Sequence, residues 1–348
     1  MDLDTVVSKL ETLAPTTLAE PWDNVGLLVE PSHPHIVNRM FLTNDLTEDV
    51  LKEAIEKRSD FILSYHPPIF SPLKRLTCQS TKERIIVKCI ENRIAVYSPH
   101  TCYDAMKDGV NDWLILAIGK GKIEPVHSIT AKCHATTGGF KVETYIKDET
   151  QKTTIASDLK AISGVDVVTL PTLETNTVKL SLNCTDKAVL DVMQYLKKYD
   201  DVKGKTEIIA LSKPPIPGAG SGRKVKLDQP LSVSAIIQNV KGHLKLPYVR
   251  LALGRNKSTD SIVHNAAVCA GSGSSVLQGC SADLYLTGEM SHHEVLDAVS
   301  RGTTVILCDH SNTERGYLSE LRDKLTVLFE DKVDVHVSGI DKDPLQIV

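Results

Sequence analysis

The first third of the chain alternates between two spacings of hydrophobic and polar positions. Apolar residues at helical spacing predict helices, with Asp4 as the N-cap of the first, and short apolar runs between them predict strands. The predicted elements are, in order, helix 4–13, strand 36–43, helix 47–57, strand 61–65, helix 82–92, strand 94–98 and helix 110–118. Strands that alternate with helices are typical of βαβ units, so we expect a largely parallel sheet.

The pattern changes between residues 122 and 230, where predicted strands outnumber helices. The predicted elements are strands 141–145, 165–170, 177–184 and 207–212 and helices 155–162 and 186–198. Their order of strand, helix, two strands, helix and strand is typical of a ferredoxin-like α+β module. The following segment, 213–223, is rich in proline and glycine and predicts an exposed loop or linker.

Beyond residue 231 the alternation of strands and helices resumes. The predicted elements are helices 232–244, 291–300 and 313–329 and strands 248–253, 262–270, 283–287, 303–308 and 333–337. Candidate metal ligands lie on both sides of the middle module, so both flanks are expected to form one domain. The predicted fold is therefore α/β, with a core made of residues 1–121 and 231–348 and an inserted α+β module at 122–230.

Composition narrows the function classes. The 348 residues are 41% hydrophobic and 24% charged, values typical of a folded globular protein of about two domains. A net charge of −4, with no block of five like charges, disfavours direct nucleic-acid binding. No apolar run approaches the roughly 18 residues of a membrane span, so no membrane partner is expected.

Cysteine usage and the start of the chain indicate the compartment. The eight cysteines are scattered and form no C-x-x-C pair, which favours free thiols in a reducing environment. The acidic start Met1-Asp-Leu-Asp4 lacks the basic residues of a secretory or mitochondrial leader. We therefore expect the protein in the cytoplasm, with the nucleus as a second location.

Four predicted strands end in side chains that bind metals or transfer protons. In chain order these are His66; His100 and Asp104; Glu289, His292 and His293; and His310 and Glu314, the last pair at a spacing that predicts one face of a helix. Each alone has an ordinary alternative as a surface or hydrogen-bonded residue. Strand carboxyl ends line the ligand crevice of open α/β sheets, so their joint occurrence favours one metal site. Imidazoles and carboxylates without cysteine suit Zn, Mn, Fe or Mg, and a bridging carboxylate would allow two ions.

Two further segments have an open interpretation. Gly271, Ser272, Gly273 and Ser274 follow an apolar strand, and they predict either a phosphate-binding loop with free backbone N–H groups or a tight βα turn. The turn around Trp22-Asp23-Asn24 and the strand end Asn44-Asp45 would either line the crevice or cap loops, and the second interpretation is favoured for each.

Six motifs together resemble a known family. They are Trp22-Asp-Asn-Val-Gly-Leu27, Tyr65-His-Pro-Pro-Ile-Phe70, His100-Thr-Cys-Tyr-Asp104, Gly271-Ser-Gly-Ser-Ser275, Thr287-Gly-Glu-Met-Ser-His-His293 and His310-Ser-Asn-Thr-Glu-Arg-Gly316. The set resembles the NGG-one-interacting factor three-like family, also known as GTP cyclohydrolase I type 2 homologs, and its animal members most closely. The resemblance implies two similar α/β halves that bind a pair of metal ions, assembly into a toroidal hexamer, and an inserted domain in longer members.

The resemblance also implies roles for residues. By matching motifs, the ligands would be His66, Asp104, His310 and Glu314, with His100, Glu289, His292 and His293 as neighbours. One departure concerns Tyr65, since bacterial relatives have two adjacent histidines where this chain has Tyr65-His66. The number of ions, one or two per chain, therefore stays open.

Two hypotheses of function follow. In the first, the protein is a metal-dependent, hydrolase-like enzyme of GTP cyclohydrolase type acting on a nucleotide-like substrate, with Glu289 or His293 as acid or base. In the second, it is a ring-shaped interaction protein that binds transcription or signalling factors with weak or no catalysis. A third possibility, a nucleotide sensor that uses the middle module, rests on fold analogy alone.

Overall fold

The computed structural model describes residues 1–347 except 132, 148, 175, 176, 200, 201, 203 and 204. The chain divides into two compact units: unit 1 is Met1–Ile129 with Pro217–Val348, and unit 2 is Thr130–Ile216. The boundaries differ from the expected 122 and 230. The reason is that two strands flanking unit 2 pair in a sheet of unit 1, as described below.

The described elements lie close to the predicted ones in most of the chain. The α-helices are α1 (Leu3–Leu13), α2 (Glu48–Glu56), α3 (Thr81–Glu91), α4 (Thr101–Ala105), α5 (Val110–Ile115), α6 (Glu149–Lys160), α7 (Ala188–Leu196), α8 (Val233–Leu244), α9 (Ser274–Leu277), α10 (His292–Ser300) and α11 (Tyr317–Leu328). The strands are β1 (Gly26–Val29), β2 (Arg39–Thr43), β3 (Phe61–Ser64), β4 (Ala95–Ser98), β5 (Gly121–Thr130), β6 (Phe140–Ile146), β7 (Val165–Pro171), β8 (Val178–Cys184), β9 (Glu207–Ala210), β10 (Pro215–Ser232), β11 (Arg250–Ala252), β12 (Ile262–Cys269), β13 (Leu284–Thr287), β14 (Thr304–Leu307) and β15 (Asp334–Val337). Short 3-10 turns cover Thr16–Leu18 and Ser311–Thr313. The N-cap of α1 is Asp2 and not Asp4, because the Asp2 carboxylate accepts from the backbone N–H of Thr5 at 3.0 Å.

Unit 1 contains a five-stranded sheet in the order β1-β4-β3-β2-β15. Strands β15, β2, β3 and β4 pair in parallel, and β1 is antiparallel to β4. Helices α2 and α3 cover one face, where Val50, Leu51, Ile85 and Ile86 pack against Ile62. Strands β2, β3 and β4 therefore form the parallel sheet that the first third of the sequence predicts, and β15 from the end of the chain extends it.

A second sheet of unit 1 has six strands in the order β11-β14-β13-β12-β10-β5. Strands β12, β13 and β14 are parallel, while β10 and β11 run antiparallel to their neighbours. The prediction of a loop at 213–223 is wrong, because β10 includes most of these residues. A Cβ on Gly220 would lie 2.2 Å from the backbone oxygen of His127 on β5, so a glycine there permits close strand approach.

Unit 2 contains a four-stranded antiparallel sheet in the order β7-β8-β6-β9. Helices α6 and α7 pack on it through a core that includes Val142, Ile155, Leu180 and Val192. The described chain is thus a mixed α/β fold with three sheets. Among its helices, none combines the length and the apolar character that crossing a bilayer requires.

Candidate metal centre

The carboxyl ends of parallel strands from both sheets of unit 1 meet at one cavity of about 570 Å³. His66 follows β3 and His100 follows β4 of the five-stranded sheet, while Gly271 follows β12 and His310 follows β14 of the six-stranded sheet. All four residues line the cavity. The structure therefore brings together strand ends that the sequence analysis expected on one sheet, but it does so with two sheets.

Two imidazoles and one carboxylate converge at this cavity. The Nε2 atom of His66 lies 3.4 Å from Oε2 of Glu314, and Nε2 of His310 lies 3.3 Å from Oε1 of the same carboxylate. One ligand atom from each of the three residues lies within 4.8 Å of the other two. Glu314 is only 4% exposed. The three side chains form a group that could hold a metal ion.

The backbone between His310 and Glu314 is not the α-helix that their spacing predicts. Ser311–Thr313 is a 3-10 turn, in which the backbone oxygen of His310 accepts from the N–H of Thr313 at 3.2 Å and from its hydroxyl at 2.7 Å. The tight turn still brings both side chains to the same point. The predicted proximity is correct, although the predicted helical face is wrong.

Each cavity histidine has a carboxylate on its other ring nitrogen. The pairs, measured from Nδ1, are His66 with Asp45 at 2.8 Å, His310 with Glu289 at 2.9 Å and His100 with Asp23 at 2.8 Å. Such carboxylates fix the tautomer and ring orientation, which leaves Nε2 available for a metal. The sequence analysis favoured a loop-capping role for Asp23 and Asp45. Only the three-dimensional structure shows that these carboxylates lie beside His100 and His66.

Asp104 lines the cavity but is not part of the group of three. Its Oδ1 accepts from the Tyr65 hydroxyl at 2.5 Å, so Tyr65 engages the carboxylate expected to be a ligand. Burial raises the pKa of Asp104 to about 6; the Tyr65 hydrogen bond opposes this shift and the Glu314 charge adds to it. Burial and then the Asp104 charge raise the pKa of Tyr65 well above its ordinary value.

Charge coupling inside the group of three is strong. Burial disfavours the Glu314 carboxylate, but hydrogen bonds from His310 and His66 outweigh this and lower its pKa to about 2. Burial also opposes protonation of His66, yet Asp45 and Glu314 raise its pKa to about 10. The Glu314 hydrogen bond raises the pKa of His310 to about 9 against the effect of burial. In the metal-free protein, two imidazolium groups therefore surround one carboxylate.

Two backbone amides of the loop at Gly271–Ser274 already have hydrogen-bond partners within the protein. The N–H of Gly271 donates to the Thr313 hydroxyl at 2.8 Å, and that of Gly273 donates to the Thr287 hydroxyl at 3.1 Å. Ser272 donates to Glu289 at 2.8 Å, and Ser274 begins the four-residue helix α9. These contacts favour the alternative interpretation, a tight βα turn.

Helix α10 holds the two remaining predicted site residues away from the cavity. His292 and His293 are its first residues, and both are exposed. The helix begins there because Ser291 and Glu294 form a capping box. Neither histidine is among the described residues that line the cavity.

Two buried asparagines, neither marked by the sequence analysis as a candidate ligand, support the site. Asn111 accepts from the N–H of Ala270 at 2.9 Å and donates to the backbone oxygen of Asp104 at 3.1 Å. Asn44 donates to Oε2 of Glu314 at 3.1 Å. Its Oδ1 is buried without a hydrogen-bond partner among the described residues. The sequence marks Asn44 only by its position at a strand end, and it gives no signal for Asn111.

Three observations indicate that these donor atoms suit a divalent ion. Two imidazoles and a carboxylate are preferred ligands of Zn and of non-haem Fe(II). The histidines are oriented by carboxylates, as metal-binding histidines usually are. Gly271 has a φ of +62°, and a Cβ there would lie 2.6 Å from Oε1 of Glu314 and 2.9 Å from Nε2 of His310. The glycine thus keeps open the space beside the donor atoms.

The sequence model of the family described as Duf34/NIF3 (NGG1p interacting factor 3) matches residues 1–344 of the chain. The chain belongs to this family. NIF3-like protein 1 of Bos taurus is 50% identical over 350 residues, covering 100% of this chain and 93% of the relative. NGG1-interacting factor 3 of Saccharomyces cerevisiae is 32% identical over 358 residues, covering 99% of this chain and 96% of the relative.

Solved structures agree with this assignment. The crystal structure of a hypothetical protein from Staphylococcus aureus is similar with a TM-score of 0.72 and 26% identity, and the match covers 100% of this chain and 99% of that chain. Membership of the Duf34/NIF3 family confirms the resemblance that the six motifs predict. The structural match supports the mixed α/β fold with several sheets.

Proposed function

We propose that this Duf34/NIF3 protein is a hydrolase-like enzyme that binds one divalent ion and acts on a nucleotide-like compound in the cavity. The observation that carries this proposal is the convergence of His66, His310 and Glu314 on one point of a cavity wall. Three protein ligands with an open position are typical of catalytic metal sites, whereas structural sites are closed by four. Two imidazole donors favour Zn or Fe(II) over Mg.

One ion is proposed instead of two because Asp104 lies outside the group of three. A second ion would need a further carboxylate or imidazole group beside the first. The hydroxyl of Tyr65 donates to Asp104, and the other acidic group in the described residues that could hold an ion, Asp4 with Glu30 and His33, is exposed. A bound ion would polarise the substrate and lower the pKa of a water molecule.

Asp104 is the group we propose to hold and transfer the proton. Its pKa of about 6 lies close to neutral pH, where a general acid or base is most effective. The Tyr65 hydroxyl fixes Oδ1, which leaves Oδ2 to exchange a proton with the substrate. Asp104 thereby takes the role that the sequence analysis gave to Glu289 or His293, since Glu289 orients His310 and His293 is exposed.

Metal affinity should rise with pH. His66 and His310 are protonated at neutral pH in the metal-free protein, because their pKa values are about 10 and about 9. An ion that binds both Nε2 atoms displaces both protons, so its affinity should increase by up to about 100-fold per pH unit between about pH 6 and pH 8. Calorimetry in buffers of different ionisation enthalpy would measure about two protons released per Zn²⁺. An affinity that does not change over this range would contradict the ligand assignment.

The test of the proposal combines metal content with turnover. The protein loaded with Zn²⁺ or Fe²⁺ should convert at least one of a panel of nucleosides and nucleotides, detected by mass spectrometry. Gly271→Ala should lose both the ion and the turnover, because its new Cβ occupies the space beside Glu314 while every donor remains. Gly279→Ala is the matched control, since Gly279 also has a positive φ, +77°, but its Cβ would meet nothing within 4 Å. Full metal content in Gly271→Ala would refute the proposed geometry.

Two finer features of the fold belong to the same proposal. Unit 2 is proposed as a ferredoxin-like module, supported by its order of strand, helix, two strands, helix and strand and by its sheet order β7-β8-β6-β9. The core is proposed as two similar halves, supported by three successive parallel strands in each of its sheets. Assembly into a hexamer stays an expectation from the family resemblance.

A second candidate function is a metal-stabilised interaction protein of the cytoplasm and nucleus. The name of the yeast relative, NGG1-interacting factor 3, favours a transcription-related protein partner. Tyr65 also favours it, because its bond to Asp104 would weaken a second metal site. A metal-loaded protein that leaves every tested compound unchanged, but retains a protein partner in a pull-down that Gly271→Ala loses, would support this candidate over the enzyme.

A further inference from the structure

An exposed aromatic pair lines the same cavity. Trp22 is 60% exposed and Phe70 is 43% exposed, and their ring centroids lie 6.0 Å apart at an interplanar angle of 53°. The Trp22 ring also meets the edge of His100, at a centroid distance of 5.9 Å. Neither ring contributes to the metal-ligand group. Large aromatic surface exposed beside a cavity indicates a ligand that covers it.

Hydrogen bonds to neighbouring segments fix the loops that carry Trp22 and Phe70. Asp23, next to Trp22, is fully buried and accepts from Thr101 and His100. Asn24 donates to the backbone oxygen of Ile69, the neighbour of Phe70, at 2.5 Å. The aromatic pair is therefore held in place before any ligand arrives, which lowers the entropy lost on binding.

The charge of the cavity limits which ligand these rings could hold. Among the described residues that line it, none is Lys or Arg, while Glu20, Asp104 and Glu314 are acidic. Proteins recognise phosphate chains chiefly with Arg and Lys. Apart from a bound ion and the cavity histidines, a triphosphate would thus meet carboxylates and no Arg or Lys side chain. Glu20 accepts from the Ser221 hydroxyl through Oε1 at 3.2 Å, and Oε2 can accept from a ligand N–H.

We propose that the cavity binds a planar heteroaromatic compound with N–H donors, such as a nucleobase or nucleoside, through its ring and not through a phosphate chain. The ring stacks on Trp22 and Phe70, and Glu20 accepts from the N–H edge. This inference rests on the proposed function, since it names the class of compound that the metal site would act on. It narrows the nucleotide-like substrate to compounds without a polyphosphate.

Calorimetry with guanosine and GTP, on the Zn²⁺-loaded and the metal-free protein, tests this inference. Guanosine has two N–H donors on one ring edge and no charge, so it should bind at least about tenfold more tightly than GTP. Trp22→Ala and Phe70→Ala should each weaken guanosine binding by about tenfold, as loss of a stacking partner does for a base. Glu20→Gln should weaken guanosine and leave Zn²⁺ binding unchanged. Leu76→Ala, an exposed apolar residue outside the cavity lining, is the control.

The outcomes separate this inference from the proposed function. If guanosine binds and Trp22→Ala and Phe70→Ala weaken it, while the protein binds no Zn²⁺, the aromatic subsite is supported and the metal proposal is refuted. Zn²⁺ binding with guanosine affinity unchanged in Trp22→Ala and Phe70→Ala would overturn the aromatic subsite alone. Tighter binding of GTP than of guanosine would also overturn it. So would a lower molar mass of Trp22→Ala in light scattering, because the ring would then be covered by a second copy of the chain.

Discussion

Glu314→Gln is expected to abolish stoichiometric metal binding. The Glu314 carboxylate contacts the Nε2 atoms of both His66 and His310, and it is almost completely buried. The amide keeps the shape but removes the negative charge that would attract a divalent ion. We expect the Kd for Zn²⁺ to rise by more than about 100-fold, beyond the 10–100-fold typical of losing an orienting partner. Elemental analysis of the purified protein and calorimetry would measure the change.

Two further carboxylates give the matched controls for this prediction. Glu289 contacts only Nδ1 of His310, so Glu289→Gln should weaken Zn²⁺ binding by about 10–100-fold and not abolish it. Glu320 is exposed on helix α11, and Glu320→Gln should have no effect. Equal metal content in Glu314→Gln and Glu320→Gln would exclude Glu314 as a ligand.

The sequence predicts the candidate ligands better than the residues that support them. His66 and His310 could be found because each follows a short apolar strand, and parallel strands share one carboxyl-end edge. Asp23 lies 77 residues from His100, its partner, and Asp45 lies 21 residues from His66. Neither spacing is a property of a helix or a strand. Only tertiary packing decides which loop carboxylate meets which histidine, so these pairs could not be predicted.

In the fold, too, some elements can be predicted from local sequence, whereas others depend on tertiary contacts. In the five-stranded sheet, β2, β3, β4 and β15 follow the apolar spacing to within a few residues, whereas β1 was not predicted. Strand β10 was predicted as a linker because its prolines and glycines are typical of loops. In the structure Gly220 lets β10 approach β5, and this neighbour cannot be known before the sheet is assembled. The buried Arg223 on the same strand is a second consequence of that pairing.

Arg223→Met is expected to destabilise unit 1 by about 3–5 kcal/mol, the cost of removing one partner of a buried ion pair. The Arg223 side chain is 1% exposed and donates to both oxygens of Asp112, at 2.9 Å and 2.8 Å. It also donates to the backbone oxygens of Gly220, Gly222 and Met106, at 2.6–2.8 Å. Methionine fills much of the volume but removes the guanidinium from Asp112, which keeps the N–H of Asp108, and from these backbone oxygens. Urea unfolding followed by tryptophan fluorescence reports unit 1 alone, because both tryptophans, Trp22 and Trp113, lie in it.

The contacts of Arg223 also connect it with the candidate metal site. Arg223 joins β10 to the segment between α4 and α5, and Asp104 lies on α4. Lys226→Met changes an exposed cation on the same strand and should cost less than about 0.5 kcal/mol. In Asp112→Asn the two terminal NH₂ groups of Arg223 keep their backbone acceptors and only the contacts to the carboxylate change, so the loss should be smaller than in Arg223→Met, and the double variant should lose less than the sum. A cost below about 1 kcal/mol for Arg223→Met would contradict this prediction and would mean that water replaces the guanidinium.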